Sequence, residues 1–168
     1  RWQVIAFLVG LGCTGKSTLM NDVIALFFST DDVAYIENNI EKQYGWSECA
    51  EKYMWLASEL RDDFGKHCDQ TQWQKIVEGG RMSGARKHKT SVQMDPFECT
   101  GMMAGNTEDL GFTDNGDGIR RRIVEFYWGE TVSEVDVEMG EKLLAELPHI
   151  IATCNETYLA KVNLVESK

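Results

Sequence analysis

One eight-residue stretch constrains the fold of this chain more than any other feature. Residues 10–17, GLGCTGKS, satisfy the pattern GxxxxGK[ST] in full. An apolar run of strand length precedes the stretch at residues 2–9, and residues 16–28 follow it with apolar side chains at helical spacing. A strand, a glycine-rich turn and a helix typically open an α/β unit. We therefore expect an α/β fold around a mostly parallel sheet.

The same stretch predicts a site for the phosphates of a nucleoside triphosphate. Its glycines let backbone N–H groups approach phosphate oxygens, and the following helix directs the positive end of its dipole at them. Lys16 is predicted to reach the β- and γ-phosphates of ATP, and the Ser17 hydroxyl to ligate Mg²⁺. The predicted phosphate-contacting residues are Gly10, Gly12, Cys13, Thr14, Gly15, Lys16, Ser17 and Thr18.

A second apolar run, at residues 53–57, is followed by Ser58 and Glu59. A hydrophobic strand that ends in an acid is typical of a Walker B element. Glu59 is predicted to polarise the attacking water or to help hold Mg²⁺. Such strands commonly end in two acids, and here Ser58 takes the first position. The single acid leaves open a module that binds ATP to assemble and hydrolyses it weakly.

The rest of the chain predicts alternating strands and helices in one domain, residues 1–168. We expect a helix over 69–78, with Asp69 or Thr71 as its N-cap and Gly79-Gly80 at its end. A hairpin with a basic tip is expected over 82–94. Other predicted elements are strands at 33–36, 97–104 and 123–127, a helix at 138–147 and a further helix from Pro148.

Composition limits the class of protein. Hydrophobic residues make up 43% of the chain, which excludes a disordered protein. The five cysteines form no CxxC pair and are expected to be reduced. No apolar stretch approaches the roughly 20 residues of a membrane span, and no secretion leader opens the chain. We therefore expect a soluble, intracellular protein with no membrane partner.

Charge is distributed unevenly along an acidic chain. The 17 Lys and Arg residues against 27 Asp and Glu give a net charge of −10. The middle third of the sequence contains a basic cluster in which Glu78 is the one acidic residue. The basic members are Lys75, Arg81, Arg86, Lys87 and Lys89. Such a cluster is compatible with nucleic-acid binding, and a solvated basic face is the alternative.

The order of these features resembles the superfamily 3 helicases, above all the helicase module of primase-helicases from poxviruses, other large DNA viruses and phages. The likeness runs from about residue 4 to residue 157. After the two phosphate motifs come a helix, Gly79-Gly80 and the basic hairpin. A strand then ends at Asn106, the usual place of a polar sensor. The acidic-glycine loop with its arginines, DNGDGIRRRIVEF at 114–126, and the segment ELPHII at 146–151 also match.

This resemblance implies an AAA+-like three-layer sandwich with about five strands in its sheet. It implies that Asn106 contacts the γ-phosphate or the attacking water. Arg121 and Arg122, with Arg122 preferred, become candidates for an arginine that acts across a subunit interface, and Arg120 becomes a surface or structural residue. In a hexameric ring, Arg86, Lys87, His88 and Lys89 on the hairpin would contact single-stranded DNA.

The resemblance also implies a virus-encoded protein that acts inside the infected host cell. The chain would then be a piece of a longer primase-helicase with a primase domain upstream. Two further alternatives remain open besides the assembly module. One is a small-molecule kinase or other P-loop NTPase, and the second is a superfamily 3 ATPase of an RNA virus.

Overall fold

The computed structural model describes residues 3–41, 45–86, 89–94, 97–113 and 117–165. The chain divides into two compact units, Arg1–Ser133 and Glu134–Lys168. Among the described residues, all strands lie in the first unit, and the second unit is built around one long helix. The single ATPase core predicted over residues 1–168 stays a prediction.

Seven strands follow one another along the first unit: β1 (Ile5–Gly10), β2 (Val33–Tyr35), β3 (Met54–Leu60), β4 (Met82–Arg86), β5 (Lys89–Met94), β6 (Thr100–Gly105) and β7 (Ile123–Trp128). Five of them form one sheet in the order β2-β3-β6-β1-β7. All four neighbouring pairs in this sheet are parallel. The predicted α/β fold with a sheet of about five strands is confirmed.

The helices are α1 (Lys16–Leu19), α2 (Phe64–His67), α3 (Gln70–Glu78), α4 (Asp117–Arg120) and α5 (Met139–Val165). Directly after α1, the chain continues through a π-helical turn (Met20–Ile24) and a 3-10 turn (Ala25–Phe27). The helix expected over 16–28 is therefore in place but irregular. Two other 3-10 turns cover Thr30–Asp32 and Gly45–Cys49.

Core side chains cover both faces of the sheet, because successive strand residues point to opposite sides. One face carries Phe7 of β1, Trp55 of β3 and Met103 of β6, and packs against α3. The other face carries Leu8, Leu56 and Ala104, and packs against the segment that follows α1. Burial on both faces explains why these strands are nearly continuous apolar runs in the sequence.

The ends of α3 agree with the sequence. Asp69 is its N-cap, and the side chain accepts a hydrogen bond from the Gln72 N–H at 2.8 Å. Gly79 ends the helix in the left-handed conformation, at φ 71°. Between them, Trp73 is fully buried and lies 5.4 Å from the ring of Phe112.

Two strands differ from the expectation. β3 continues past Ser58 and Glu59 to Leu60, with a register shift between Ala57 and Leu60, so Glu59 lies within the strand and not after it. The strand continues because Leu60 is buried and pairs with Gly105 of β6. β7, expected over 123–127, extends to Trp128; it is the edge strand of the sheet, and most of its side chains are exposed.

α5 is one continuous helix with Pro148 inside it. The prediction of a helix over 138–147 and a second one from Pro148 is wrong. Proline lacks the N–H that would donate to the carbonyl of Leu144, and the turns on either side continue the helix despite this loss. No helix in the described part of the chain has the combination of length and apolar character needed to cross a membrane.

β4 and β5 form the predicted antiparallel hairpin, separate from the main sheet. Arg86 and Lys89 pair across its end. Lys87 and His88, the predicted tip, lie outside the described residues.

Candidate functional site

The loop between β1 and α1 has a backbone that only a glycine-rich sequence adopts readily. Gly10 has a φ of 143° and Gly15 a φ of 91°, both in the region that side chains disfavour. A Cβ on Gly10 would lie 2.0 Å from the carbonyl oxygen of Trp128. Cys13 has a φ of 56° although it is not glycine. These backbone conformations shape the loop that leads into α1.

Lys16 is buried inside this loop, with 6% of its surface exposed. Its Nζ donates to the carbonyl oxygen of Gly10 at 3.0 Å, to that of Leu11, and to Thr14 Oγ1 at 3.2 Å. The Thr14 hydroxyl in turn donates to the Leu11 carbonyl oxygen at 3.1 Å. These acceptors are all neutral oxygens, so the loop supplies Lys16 with hydrogen bonds but with no counter-charge.

Burial lowers the pKa of Lys16 below its usual value, and the nearby Cys13 thiol partly opposes this shift. The direction follows from desolvation, which penalises the charged ammonium. A bound anion would remove that penalty by supplying the missing negative charge. The arrangement therefore fits phosphate oxygens at this position.

A cavity of about 420 Å³ joins this loop to two neighbouring strands. Its walls are residues 12–18 of the loop and α1, 58–61 of β3 and its end, and 105 and 106 at the end of β6. β6 lies between β1 and β3, and all three strands are parallel, so their carboxyl ends meet at one edge of the sheet. Ser17, Glu59 and Asn106, predicted separately from the sequence, thus lie around one cavity. Gly10 lies behind this cavity and does not line it.

Gly105 allows β3 and β6 to approach closely beside the cavity. A Cβ on it would lie 2.9 Å from the Leu60 carbonyl oxygen. Glu59 and Asn106 are both exposed to solvent. Their side chains are therefore accessible to a ligand in the cavity.

The three consecutive arginines have different surroundings. Arg122 is buried and forms an ion pair with Glu78, and it also donates to the Gly118 carbonyl oxygen. The Arg121 side chain is 68% exposed and lies 3.9 Å from the same carboxylate. Arg120 ends α4 and is exposed. The preference for Arg122 as the arginine that reaches another subunit is not supported by its burial, whereas Arg121 is positioned at the surface.

Two of the four predicted DNA-contacting residues, Arg86 and Lys89, occupy strand positions of the hairpin. The strand positions of Arg86 and Lys89 are described, and Lys87 and His88 fall outside the described residues. Contact of these four residues with DNA stays a prediction.

A second cavity, of about 640 Å³, was missed by sequence reasoning. It shares Ser58, Glu59 and Arg61 with the first cavity and extends to the end of β2. On its far wall, the Asn38 side-chain amide donates to Asp63 at 2.6 Å, and the Arg61 N–H donates to Asn38 at 2.8 Å. The bond from Asn38 holds the pKa of Asp63 below its usual range, and His67, 3.6 Å away, adds to this effect. The polar run at 37–39 is the only sequence signal for this wall.

Three comparisons with known proteins bear on this arrangement. No protein-family model matches the chain, and no curated protein matches it in sequence. The fold, however, occurs in solved structures. The C-terminal region of NrS-1 in its apo A form aligns with a TM-score of 0.66 at 19% identity, and another apo structure of that region with 0.67 at 18%. A third gives 0.64 at 16%.

Each alignment covers 88% of this chain. The chain spans only about a third of the matched structures, 34–35% of their length. At this level of identity, the likeness shows a common fold.

Proposed function

We propose that this chain is the ATP-hydrolysing core of a superfamily 3 DNA helicase, with the AAA+-like form of the P-loop fold. One observation carries the proposal. The phosphate-type loop, Glu59 and Asn106 surround a single cavity at the carboxyl ends of three adjacent parallel strands. An open parallel sheet typically binds its ligand at this edge.

Each group in the cavity has a distinct chemical task in hydrolysis. Loop N–H groups and Lys16 hold the β- and γ-phosphate oxygens of ATP, with Lys16 exchanging its loop carbonyl partners for them. Ser17 would supply an oxygen ligand for Mg²⁺ and Glu59 would help hold the ion through a water, and the ion would neutralise phosphate charge. Glu59 orients the attacking water and accepts its proton. Asn106 donates a hydrogen bond from its amide to the γ-phosphate.

The proposal extends to a homohexamer that encloses single-stranded DNA. Arg121 would complete the site of a neighbouring subunit, because it is the exposed member of the arginine pair. The hairpin would present Arg86, Lys87, His88 and Lys89 to DNA phosphates. In this setting the protein would be virus-encoded, act within the infected cell, and belong to a longer chain that carries a primase.

ATP turnover measured against protein concentration, at low salt, tests this proposal. Turnover per chain should rise with concentration, since each site needs a neighbour, and should increase further with single-stranded DNA. The DNA stimulation should weaken steeply with salt, as expected for phosphate contacts. Turnover that is linear in protein and indifferent to DNA would reject the ring motor and leave an independent NTPase.

Glu59→Gln separates hydrolysis from assembly. The amide keeps the shape of the side chain but cannot accept a proton, so ATP should still bind while turnover falls by about 100-fold or more. Ser58→Ala is the matched control at the neighbouring cavity position. If Glu59→Gln changes turnover no more than Ser58→Ala, the chain is an assembly module with weak hydrolysis.

Lys87→Ala/Lys89→Ala tests the hairpin. This variant should keep basal turnover and lose the stimulation by DNA, because neither lysine belongs to the proposed ATP-binding residues. A control with equal loss of charge is Lys66→Ala/Lys52→Ala, at positions that belong to neither strand of the hairpin. Unchanged stimulation would remove the hairpin from the DNA-binding surface.

The second cavity favours one alternative, a small-molecule kinase. It opens beside Glu59, where an acceptor hydroxyl could meet the γ-phosphate, and Asp63 lies on its wall. ADP and inorganic phosphate should be measured together, with nucleosides and nucleoside monophosphates as trial acceptors. A hydrolase releases the two products in equal amounts under every condition. ADP formed in excess of phosphate, only when an acceptor is present, would support the kinase instead.

A further inference from the structure

The last residue of β7 and the segment after it contact the phosphate loop on the side away from the cavity. The Leu11 N–H donates to the Trp128 carbonyl oxygen at 3.2 Å, and the Val132 N–H donates to the Cys13 carbonyl oxygen at 2.8 Å. The Trp128 ring lies 3.6 Å from the position that a Cβ on Gly15 would take. We call residues 128–132 the strap.

These contacts hold the loop where its backbone is least regular. Gly10, Cys13 and Gly15 have positive φ angles. Trp128 lies against Gly10 and Gly15, and the Val132 N–H donates to the Cys13 carbonyl oxygen. A left-handed φ at a residue with a side chain is costly and persists only where its surroundings enforce it. At Cys13 the described partner of the carbonyl oxygen is the Val132 N–H.

The strap is separate from the groups that face the ligand. Neither Trp128 nor Val132 lines the 420 Å³ cavity. Trp128 is half-buried and packs against the cluster beneath α1, whereas the Val132 side chain is 54% exposed. The strap therefore contacts the phosphate loop from outside the cavity.

We propose that the strap is a positioning element for phosphate binding, and that the backbone N–H of Val132 keeps the Cys13 peptide turned so that the loop N–H groups converge on the ligand. This inference rests on the proposed ATP site. It assigns to Val132 and Trp128 an effect on nucleotide affinity that no motif in the sequence indicates.

Val132→Pro and Val132→Ala form a matched pair for the test. Both replace the exposed valine by another apolar residue, but only proline lacks the N–H that donates to Cys13. Affinity for MgADP, measured by calorimetry, should fall about 3- to 10-fold in Val132→Pro, the equivalent of one neutral hydrogen bond, and stay at the wild-type value in Val132→Ala. KM for ATP should rise by the same factor while kcat stays within about twofold, since the catalytic groups are untouched.

Trp128→Leu and Tyr127→Leu provide a second pair that does not depend on proline. Tyr127 is exposed on the same strand, so its loss controls for a change at β7. Trp128→Leu should weaken MgADP binding and Tyr127→Leu should not. A merely structural role would lower the melting temperature of either strap variant and leave the affinity of the folded protein unchanged.

The outcomes separate the two proposals. If the wild-type chain binds MgADP and both strap variants bind it equally well, the strap inference is wrong and the ATP site stands. If the wild-type chain binds neither MgADP nor MgATP, the proposed ATP site falls and the strap inference falls with it.

Discussion

The phosphate loop and the arginine segment at residues 120–122 are both short motifs, yet they hold their charged groups in opposite ways. Lys16 finds its three partners within six residues of itself. Arg122 finds its partner, Glu78, 44 residues away. The hydrogen-bond partners of Lys16 are thus all close to it in sequence. The pairing of Arg122 depends on how α3 packs against the turn before β7.

This difference decides how far each motif can be interpreted. Every loop residue predicted to surround the ligand, Gly10 aside, lines the cavity. The three arginines look equivalent in the sequence, but the fold buries Arg122 in an ion pair and exposes Arg121. Local motifs thus predict local geometry, and a run of like residues does not predict which of them is available.

The largest expected effect comes from Arg121→Ala. If Arg121 acts across a subunit interface, turnover should fall by about 10³-fold, the lower end of the range for such arginines. Stability should change by no more than about 0.5 kcal/mol, because the side chain is exposed. Arg120→Ala, at the exposed neighbour, is the control and should change turnover little.

A mixing experiment shows whether Arg121 acts in trans. Arg121→Ala and Lys16→Ala chains, each inactive alone, should regain part of the turnover when combined. A mixed interface joins the intact loop of one chain to the intact arginine of the other. Absence of recovery, with both variants forming mixed oligomers, would place Arg121 outside the neighbouring site.

Lys16→Ala is expected to lower turnover by about 10²- to 10³-fold, since it removes one preorganised donor to the transferring phosphoryl group. The result is needed at each protein concentration, because a cis-acting group should matter equally at all of them. Lys66→Ala, on the surface of α2, controls for the loss of one positive charge. Near-normal turnover would mean that phosphate is held elsewhere.

Arg122→Ala should mainly affect stability. It leaves Glu78 without its buried partner and should cost about 2 kcal/mol, less than a fully buried pair because Glu78 is partly exposed. The melting temperature should then fall by about 4–8 °C. If Arg122→Ala abolishes turnover while stability is unchanged, the original preference for Arg122 as the trans-acting residue is restored.

A double-mutant cycle isolates the contribution of the Arg122–Glu78 ion pair to stability. Arg122→Met combined with Glu78→Gln should destabilise less than the sum of the two single changes, because neither leaves a charge unpaired in the double variant. Arg121 approaches the same carboxylate, so the cycle is best repeated in an Arg121→Ala background.

The smallest expected effect concerns another local pair, at the start of α5. Asp136 accepts hydrogen bonds from Lys142 at 2.8 Å and from the Glu138 N–H at 2.9 Å, and these bonds lower the pKa of Asp136. The same carboxylate raises the pKa of Lys142. Both groups are exposed, so the contribution to stability is small.

The sign of the pH dependence follows from these shifts. The contribution of Asp136 is complete above its unfolded pKa of about 4 and is lost as the pH falls through the lower folded value. The contribution of Lys142 is complete below its unfolded pKa of about 10.4 and is lost as the pH rises through the higher folded value. Helix content followed from pH 7 to pH 2 should be slightly higher in the wild type than in Asp136→Asn at neutral pH, and the two curves should converge once Asp136 is protonated. Identical curves would show that the pair has no effect on α5.

Much of the first unit was predictable, because its signals are local. The strand, loop and helix around residues 10–17, the Asp69 cap, the Gly79 end and the hairpin all rest on residues close in sequence. The convergence of Glu59 and Asn106 needed one further rule, that parallel strands end at a common edge. The place of β7 at the edge of the sheet depends on tertiary context that single residues do not encode, and the continuity of α5 through Pro148 has no signal in the sequence.

The second cavity shows most clearly what could not be predicted from the sequence. Asn38, Arg61 and Asp63 are separated by more than 20 residues of chain at their widest, and their hydrogen bonds exist only because β2 and β3 are neighbours. Asparagine after a strand predicts a turn as readily as it predicts a cavity wall. No rule of sequence spacing predicts that these three residues lie together.

Retention of the first glycine of the motif in related sequences would not by itself indicate a working site. Gly10 lies behind the cavity, and any side chain there would collide with the main chain of the adjoining strand. Selection for folding alone is then enough to retain it. Gly12, whose missing Cβ has open space around it, has no such structural protection. Descendants that had lost all activity would still carry Gly10, whereas Gly12 would drift, so of the two it is Gly12 whose persistence records continued use of the site.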